Sequence, residues 1–421
     1  MPHAGRRRGR EDPLARRRIE LTLATLLISV LLTAVALELG LRIVSRSDVD
    51  GNVFVAGLRL RPFRMPVEAA RPKVERIQSD GDLYFRYDPD LGWSVRPGTT
   101  AEGGFYTTNA QGVRTDSRQL PTSPEPAPGT LRIGLYGDSF THSSDVPFED
   151  SLAFALQAEL SAAGLRSEAL NQGTPGYAMD QAYLRWQKEG RPLSPELVVF
   201  GFQHSDAKRN LNLIRAIYSP DTGLLLSKPR FLLEGDALRL VNVPALPPGR
   251  IPNVLADFDS WELAPYELFY RPENHLARPW YASRLLAFAA SGLGTRFTQR
   301  RPDVDFFAPG SEPFELAGRI VERFEREVRA DGARFVVLHI PTRSPLKRLR
   351  RGARLEYQLL LDALVDRYDV VDPTPALLQA AEEHGLDALF AEDSSHFSGI
   401  ANRAMGEALA RHLVEGQPRP M

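Results

Sequence analysis

The sequence predicts an α/β protein behind a membrane-spanning helix: a parallel sheet with helices on both faces. Three observations carry that expectation. Residues 21–37 (LTLATLLISVLLTAVAL) form an uncharged apolar run. From Leu131 onward short apolar runs alternate with helical patterns, the arrangement of a sheet covered on both sides. Near the C-terminus Ala401, Met405, Leu409 and Leu413 recur at the spacing of one helix face.

The N-terminal run is extended by Leu39, Gly40 and Leu41 around Glu38. At ~1.5 Å per residue a helix over 19–41 is long enough to cross ~30 Å of hydrocarbon. Arg6, Arg7, Arg8, Arg10, Arg16, Arg17 and Arg18 precede it, which predicts a cytoplasmic N-terminus and a body on the extracytoplasmic side, periplasmic or at the cell surface. The rival reading is a cleaved signal peptide, because Ala34, Val35 and Ala36 fit a small-x-small site. Apolar character continues past that site through Leu41, which favours an uncleaved anchor. The expected organisation is a basic tail over 1–18, the span over 19–44 and an irregular β-rich neck over 45–129. An α/β domain follows over 130–416, with an insertion at about 207–332.

The neck carries YDPDLGW (87–93) and TNAQGVR (108–114) and ends in PTSPEPAPG (121–129), a proline-stiffened connector. LRIGLY (131–136) reads as the first buried strand, running into Gly137, Asp138 and Ser139. Leu152, Leu156 and Leu160 mark a helix, with Asp150 or Ser151 as N-cap and Gly164 as stop. A second strand is expected over 168–171 and a helix over 179–187. Further strands are expected over 196–202, 334–340 and 368–371. Roughly 130 residues separate the third and fourth strands, far more than a crossover needs. Within them, 230–241 reads as a hairpin turning at Gly235 and Asp236, and 279–291 as a helix.

Composition narrows the function classes. The 421 residues hold 52 basic and 53 acidic side chains. With the arginine-rich first 20 residues set aside, the body is mildly acidic, which gives no footprint for nucleic acid. There is no cysteine, so disulfides, thiolate metal sites and a cysteine nucleophile are excluded. No metal-ligand spacing occurs, and neither a metal nor a cofactor is expected.

Three segments point to one crevice at the carboxyl ends of the strands. GDSFT (137–141) follows the first strand, NQGTPG (171–176) the second, and DSSH (393–396) precedes the closing helix. A serine hydroxyl needs a base to become a nucleophile, and His396 is the expected base for Ser139. A carboxylate must hold that imidazole in one tautomer, and Asp393 is the expected one. Backbone N–H groups at Ser139 and Gly176 are the expected oxyanion donors.

These blocks resemble the SGNH/GDSL hydrolases, and the stretch with PDLGW and TNAQGVR is similar to what precedes the catalytic domain in membrane-anchored bacterial members. The resemblance covers the body from about Leu131 to the C-terminus, the insertion excepted. It implies a three-layer flavodoxin-like fold and an ester hydrolase acting through Ser139, His396 and Asp393. The implied substrates are O-acyl groups, acetyl or short-chain, on a cell-envelope glycan or related metabolite. Transfer of an acyl group to an extracytoplasmic polysaccharide is the alternative. One departure stands out. The family's third block has an Asn-Asp pair whose Asn donates to the oxyanion, but here residues 201–206 read GFQHSD, which puts Ser205 in the Asn position. That substitution motivates a third reading, a catalytically impaired binding protein, with Ser205 as a shorter-reaching donor.

The remaining polar residues near the site have simpler readings. His142 and His204 are expected to pack or touch substrate, and His339 to be a hydrogen-bonded core residue. Phe258, Trp261, Tyr266, Tyr270, Trp280 and Tyr281 are expected to form the insertion's own core rather than a sugar platform. Ser398 is expected to cap the closing helix, and the basic cluster from Lys347 to Arg354 to lie in solvent.

Overall fold

The computed structural model describes residues 13–79, 84–101, 104–116, 120–219, 222–295 and 304–416. Most of the basic tail, residues 1–12, lies outside these residues. Chain contacts divide the protein into two units, one comprising Met1–Met65 and Arg271–Arg301, the other Pro66–Tyr270 and Pro302–Met421.

In the first unit the apolar run lies within a helix over Pro13–Val44. Its stretch Arg16–Val44 is long and apolar enough to cross a membrane, and none of the most apolar part is buried in the protein. Leu27, Leu31 and Val35 are exposed all along it. Strands Arg46–Ser47, Val53–Val55 and Leu58–Leu60 form a small antiparallel sheet. A helix over Arg284–Thr295 packs on that sheet, with Val55, Leu60, Tyr281 and Ala287 buried together. The helix expected over 279–291 is thus a 3₁₀ turn, Pro279–Ala282, followed by the α-helix.

The second unit is built on an eight-stranded sheet. Its strands are β1 (Thr100–Ala101), β2 (Tyr106–Thr108), β3 (Arg114–Thr115), β4 (Leu131–Tyr136), β5 (Ser167–Asn171), β6 (Leu197–Phe202), β7 (Arg334–His339) and β8 (Val370–Val371). The spatial order is β8-β7-β6-β4-β5-β3-β2-β1. All pairs from β5 to β8 are parallel, and the order of these five strands is that of a flavodoxin-like sheet. The strands expected from LRIGLY onward are all present. Strands β3, β2 and β1 extend the sheet antiparallel beyond β5, and TNAQGVR is the hairpin connection between β2 and β3, with Thr108 and Arg114 paired in the sheet.

Residue alternation shows why both faces are covered. Ile133, Leu135, Leu197, Val199, Val336 and Leu338 pack on one side with Leu156, Met405 and Leu409. Val198, Phe200, Phe202, Phe335 and Val337 pack on the other with Phe324, Ile320 and Leu361. A period of two with both sides apolar requires helices on both faces. Leu152–Ala162 carries the expected Ser151 cap, whose hydroxyl accepts from the Phe154 N–H at 3.3 Å. The closing helix runs Gly399–Glu415 and buries Ala401, Met405, Leu409 and Leu413. Ser398 occupies its N-cap position, but its hydroxyl donates to the Ala388 carbonyl instead of capping. The hairpin forms as expected, pairing Arg230–Glu234 with Ala237–Val241.

Candidate active site

Ser139 opens a single helical turn, Ser139–His142, directly after β4. Asp138 caps that turn by accepting from the Phe140 N–H at 2.8 Å. The crossing chain leaves no room for side chains here: a Cβ on Gly173 would sit 2.2 Å from the His142 nitrogen. The NQGTPG segment therefore passes directly against the turn that carries the serine. Gly176, at φ +83°, takes a conformation that L side chains rarely adopt.

The structure brings Ser139 and His396 together. His396 Nε2 lies 2.8 Å from Ser139 Oγ. His396 Nδ1 lies 2.6 Å from Asp145 Oδ2. The expected carboxylate is therefore corrected: Asp145, not Asp393, faces the imidazole. The reason is the shape of the C-terminal loop. Phe390 bridges Phe397, Ala391 N–H donates to the His396 carbonyl, and Asp393 sits at the exposed tip with φ +52°. Being three residues from His396 puts Asp393 across a tight turn, pointing the chain outward.

Asp145 reaches the histidine because its loop is held in an unusual path. Ser143 and Asp145 both have left-handed backbone, at φ 59° and 64°. Arg114, at the start of β3 and 1% exposed, donates to the carbonyls of His142, Ser143 and Val146 at 2.5, 2.6 and 2.5 Å. Tyr106 of β2 accepts from the Asp145 N–H at 2.7 Å, and its hydroxyl donates to Oδ1 at 3.3 Å. Ser394 donates to Asp145 Oδ2 at 2.5 Å. Partial burial pushes the Asp145 carboxyl up, but the hydrogen bonds from Ser394 and His396 and the His396 charge outweigh it and hold it below the usual range. The loop and the strands from the neck thus supply the residues that sequence reasoning missed. The one signal for Asp145 was its place just after GDSFT.

The oxyanion side is mixed. Among the described residues, neither the Ser139 nor the Gly176 N–H donates to a partner within the protein. The Gly176 carbonyl accepts from Arg215 at 3.2 Å. Ser205 lies in the first turn of the helix His204–Arg209, where Gln203 caps it. The Ser205 hydroxyl and N–H are 2.8 and 2.6 Å from Gln203 Oε1, so this hydroxyl is already engaged. Beside it, buried Asp206 is held at 2.6 Å by Arg209, which also reaches Asp138 at 3.1 Å. Burial and the neighbouring Asp138 charge push Asp206 well above the usual carboxylate range.

The histidines expected to pack do so. His142 is fully buried, with Nε2 2.7 Å from the Tyr84 hydroxyl and Nδ1 3.1 Å from Ser144. Burial, with the Arg114, Arg185 and His396 charges, drives it well below the ordinary histidine range. His339 lies between Asp372 at 2.8 Å and the Tyr357 hydroxyl at 2.9 Å. In the insertion Phe258 packs against Trp261 and Tyr270, while Trp280 is 48% exposed. No group of three or more histidine, aspartate or glutamate side chains among the described residues could hold a metal.

No protein-family model matches the sequence, and no curated protein matches it. Among solved structures the chain is similar to a lipolytic protein of the G-D-S-L family from Desulfitobacterium hafniense, at 11% identity and a TM-score of 0.36, covering 67% of this chain and 99% of that one. It is also similar to an acetyl-xylooligosaccharide esterase variant from Geobacillus, at 12% identity and a TM-score of 0.36, covering 69% and 96%. A lipase/acylhydrolase from Enterococcus faecalis stands at 13% identity and a TM-score of 0.35, covering 69% and 99%.

Proposed function

We propose that the chain is a membrane-anchored serine esterase of the SGNH type that removes O-acyl groups, acetyl or short-chain, from an extracytoplasmic glycan or related metabolite. The observation that carries this reading is the hydrogen-bonded series Ser139 Oγ, His396 Nε2, His396 Nδ1, Asp145 Oδ2, at 2.8 and 2.6 Å. A carboxylate on Nδ1 fixes the proton there, leaving the Nε2 lone pair for the serine hydroxyl. Ser139 attacks the acyl carbonyl while His396 takes its proton. The oxyanion is met by the N–H groups of Ser139 and Gly176, which have no partner among the described residues. The alkoxide leaves with the proton from His396. Water, deprotonated by the same nitrogen, then releases the acid and frees the serine.

The location rests on the N-terminal helix. The arginine-flanked apolar helix supports an extracytoplasmic body held at the membrane.

Full-length protein in detergent is expected to hydrolyse p-nitrophenyl acetate and to be labelled by a fluorophosphonate probe. Both signals are expected to vanish in Ser139→Ala. A second reading, a binding protein with an impaired site, is favoured by the engagement of Ser205 with Gln203. Folded protein that the probe does not label would support that reading and overturn the esterase.

A further inference from the structure

We propose that the helix Arg284–Thr295 and the loop before it rest on the outer face of the same bilayer that the N-terminal helix crosses, with Trp280 and Leu286 in its interfacial layer. This rests on the reading of the N-terminal helix as an uncleaved span.

The connection between the two helices is specific. Glu38, near the end of the N-terminal helix, accepts from the Arg284 N–H at 3.0 Å, the Leu285 N–H at 2.8 Å and the Ser283 hydroxyl at 2.8 Å. Arg42, one turn on, pairs with Glu38 at 2.7 Å and donates to the Ala282 carbonyl at 3.0 Å. A carboxylate at a helix N-terminus satisfies N–H groups that have no partner within the helix. An ionisable side chain in a spanning helix also needs partners, and these donors supply them. Glu38 lies about 9 Å from the helix end at Val44, so the second helix begins at the level where the first leaves the hydrocarbon.

Its two faces differ as that location requires. The inner face buries Ala287 and packs Phe288 and Ala290 against the small sheet. The outer face exposes Leu286 and Ala289, uncharged neighbours three residues apart, and Ala282 is exposed in the 3₁₀ turn before the helix. The loop before it exposes Leu276 (52%) and Trp280 (48%), and the helix exposes Leu286 (49%). Arg278 lies over the Trp280 ring at 5.2 Å. Apolar residues with a Trp and an Arg form the composition of an interfacial segment. Its fixed link to the spanning helix makes the bilayer the occupant of this face.

The chain has no cysteine, so single cysteines introduced as Leu286→Cys, Leu276→Cys and, as a control in the other unit, Leu359→Cys can carry a nitrobenzoxadiazole label. The full chain is reconstituted into phosphatidylcholine–phosphatidylglycerol vesicles. Lipid-borne nitroxide is expected to quench the 286 and 276 labels at least threefold more than the 359 label, with aqueous iodide showing the reverse order. Equal iodide quenching at 286 and 359 would overturn the proposal, as would shielding of 286 from both quenchers, which would mean a second copy covers the face. Flotation after an alkaline wash tests the anchor separately. Protein lost in the wash overturns the span itself, whereas protein retained with an iodide-accessible 286 overturns only the interfacial seat.

Discussion

His396 Nδ1 lies 2.6 Å from Asp145 Oδ2, so the carboxylate on the imidazole comes from the loop after the candidate nucleophile and not from the turn that carries the histidine. Asp145→Asn would leave an amide that can no longer favour the Nδ1 proton. The expected loss in kcat for p-nitrophenyl acetate is about 10³–10⁴-fold, as for loss of the corresponding carboxylate elsewhere. Asp393→Asn is expected to stay within threefold of wild type, since Asp393 is exposed at the loop tip. Kinetics of the two variants decide the matter, and a large loss in Asp393→Asn with none in Asp145→Asn would reverse the assignment.

Tyr106 contacts Asp145 twice, accepting from its N–H at 2.7 Å and donating to Oδ1 at 3.3 Å. Tyr106→Phe removes both contacts without changing the ring. Hydrogen bonds to charged groups contribute ~1.5–3 kcal/mol, equivalent to roughly 10–100-fold in rate if fully expressed in the transition state. A fall in kcat of about 10-fold is expected, with KM within twofold, because Tyr106 acts through Asp145. A change confined to KM would show that Tyr106 contacts substrate instead.

Ser205 and Gly176 are expected to behave in opposite ways. The Ser205 hydroxyl is held by Gln203 at 2.8 Å, so Ser205→Ala is expected to cost less than threefold in kcat. Losing a true oxyanion donor costs ~10²–10³. At Gly176 a Cβ would stand 3.3 Å from the Arg215 guanidinium carbon, on a backbone with φ +83°. Gly176→Ala is expected to lose more than 10²-fold while the protein still melts cooperatively. A hundredfold loss in Ser205→Ala would restore Ser205 to the oxyanion.

The sheet was legible because its signals are local. Runs such as LRIGLY and LVVFGF are apolar on both faces, and their order fixes the parallel strands. Ser139 and His396 were legible because they stand beside those strands and the closing helix. Asp145 was not, because its position depends on two left-handed residues and on Arg114 reaching from β3. No local pattern encodes a contact between a neck arginine and carbonyls 28 to 32 residues away. The partition of the neck was hidden for the same reason: 45–65 and the 271–295 part of the insertion meet only in three dimensions.

His204 stacks on Tyr357 with ring centroids 4.6 Å apart and planes 5° apart, and its side chain is 14% exposed. Burial, followed by the Lys208 and His339 charges, pushes it down to about 3. The Glu356 carboxylate at 3.5 Å is 48% exposed and does not offset this. An unfolded histidine titrates near ~6.5. Between ~6.5 and 3 the unfolded chain therefore binds a proton at this site that the folded chain does not, so the contribution to stability is full above that window and falls as pH falls through it. Asp206, Asp180 and Glu267 are pushed up by burial and act in the opposite sense, so only a difference between variants isolates His204. His204→Phe keeps an aromatic ring on Tyr357 and removes the proton. Between pH 6 and 4 the variant is expected to gain about 1.4 kcal/mol per pH unit relative to wild type, read from guanidinium unfolding of the full chain in detergent. Parallel stability curves for the two proteins across that range would show that His204 titrates normally in the folded state.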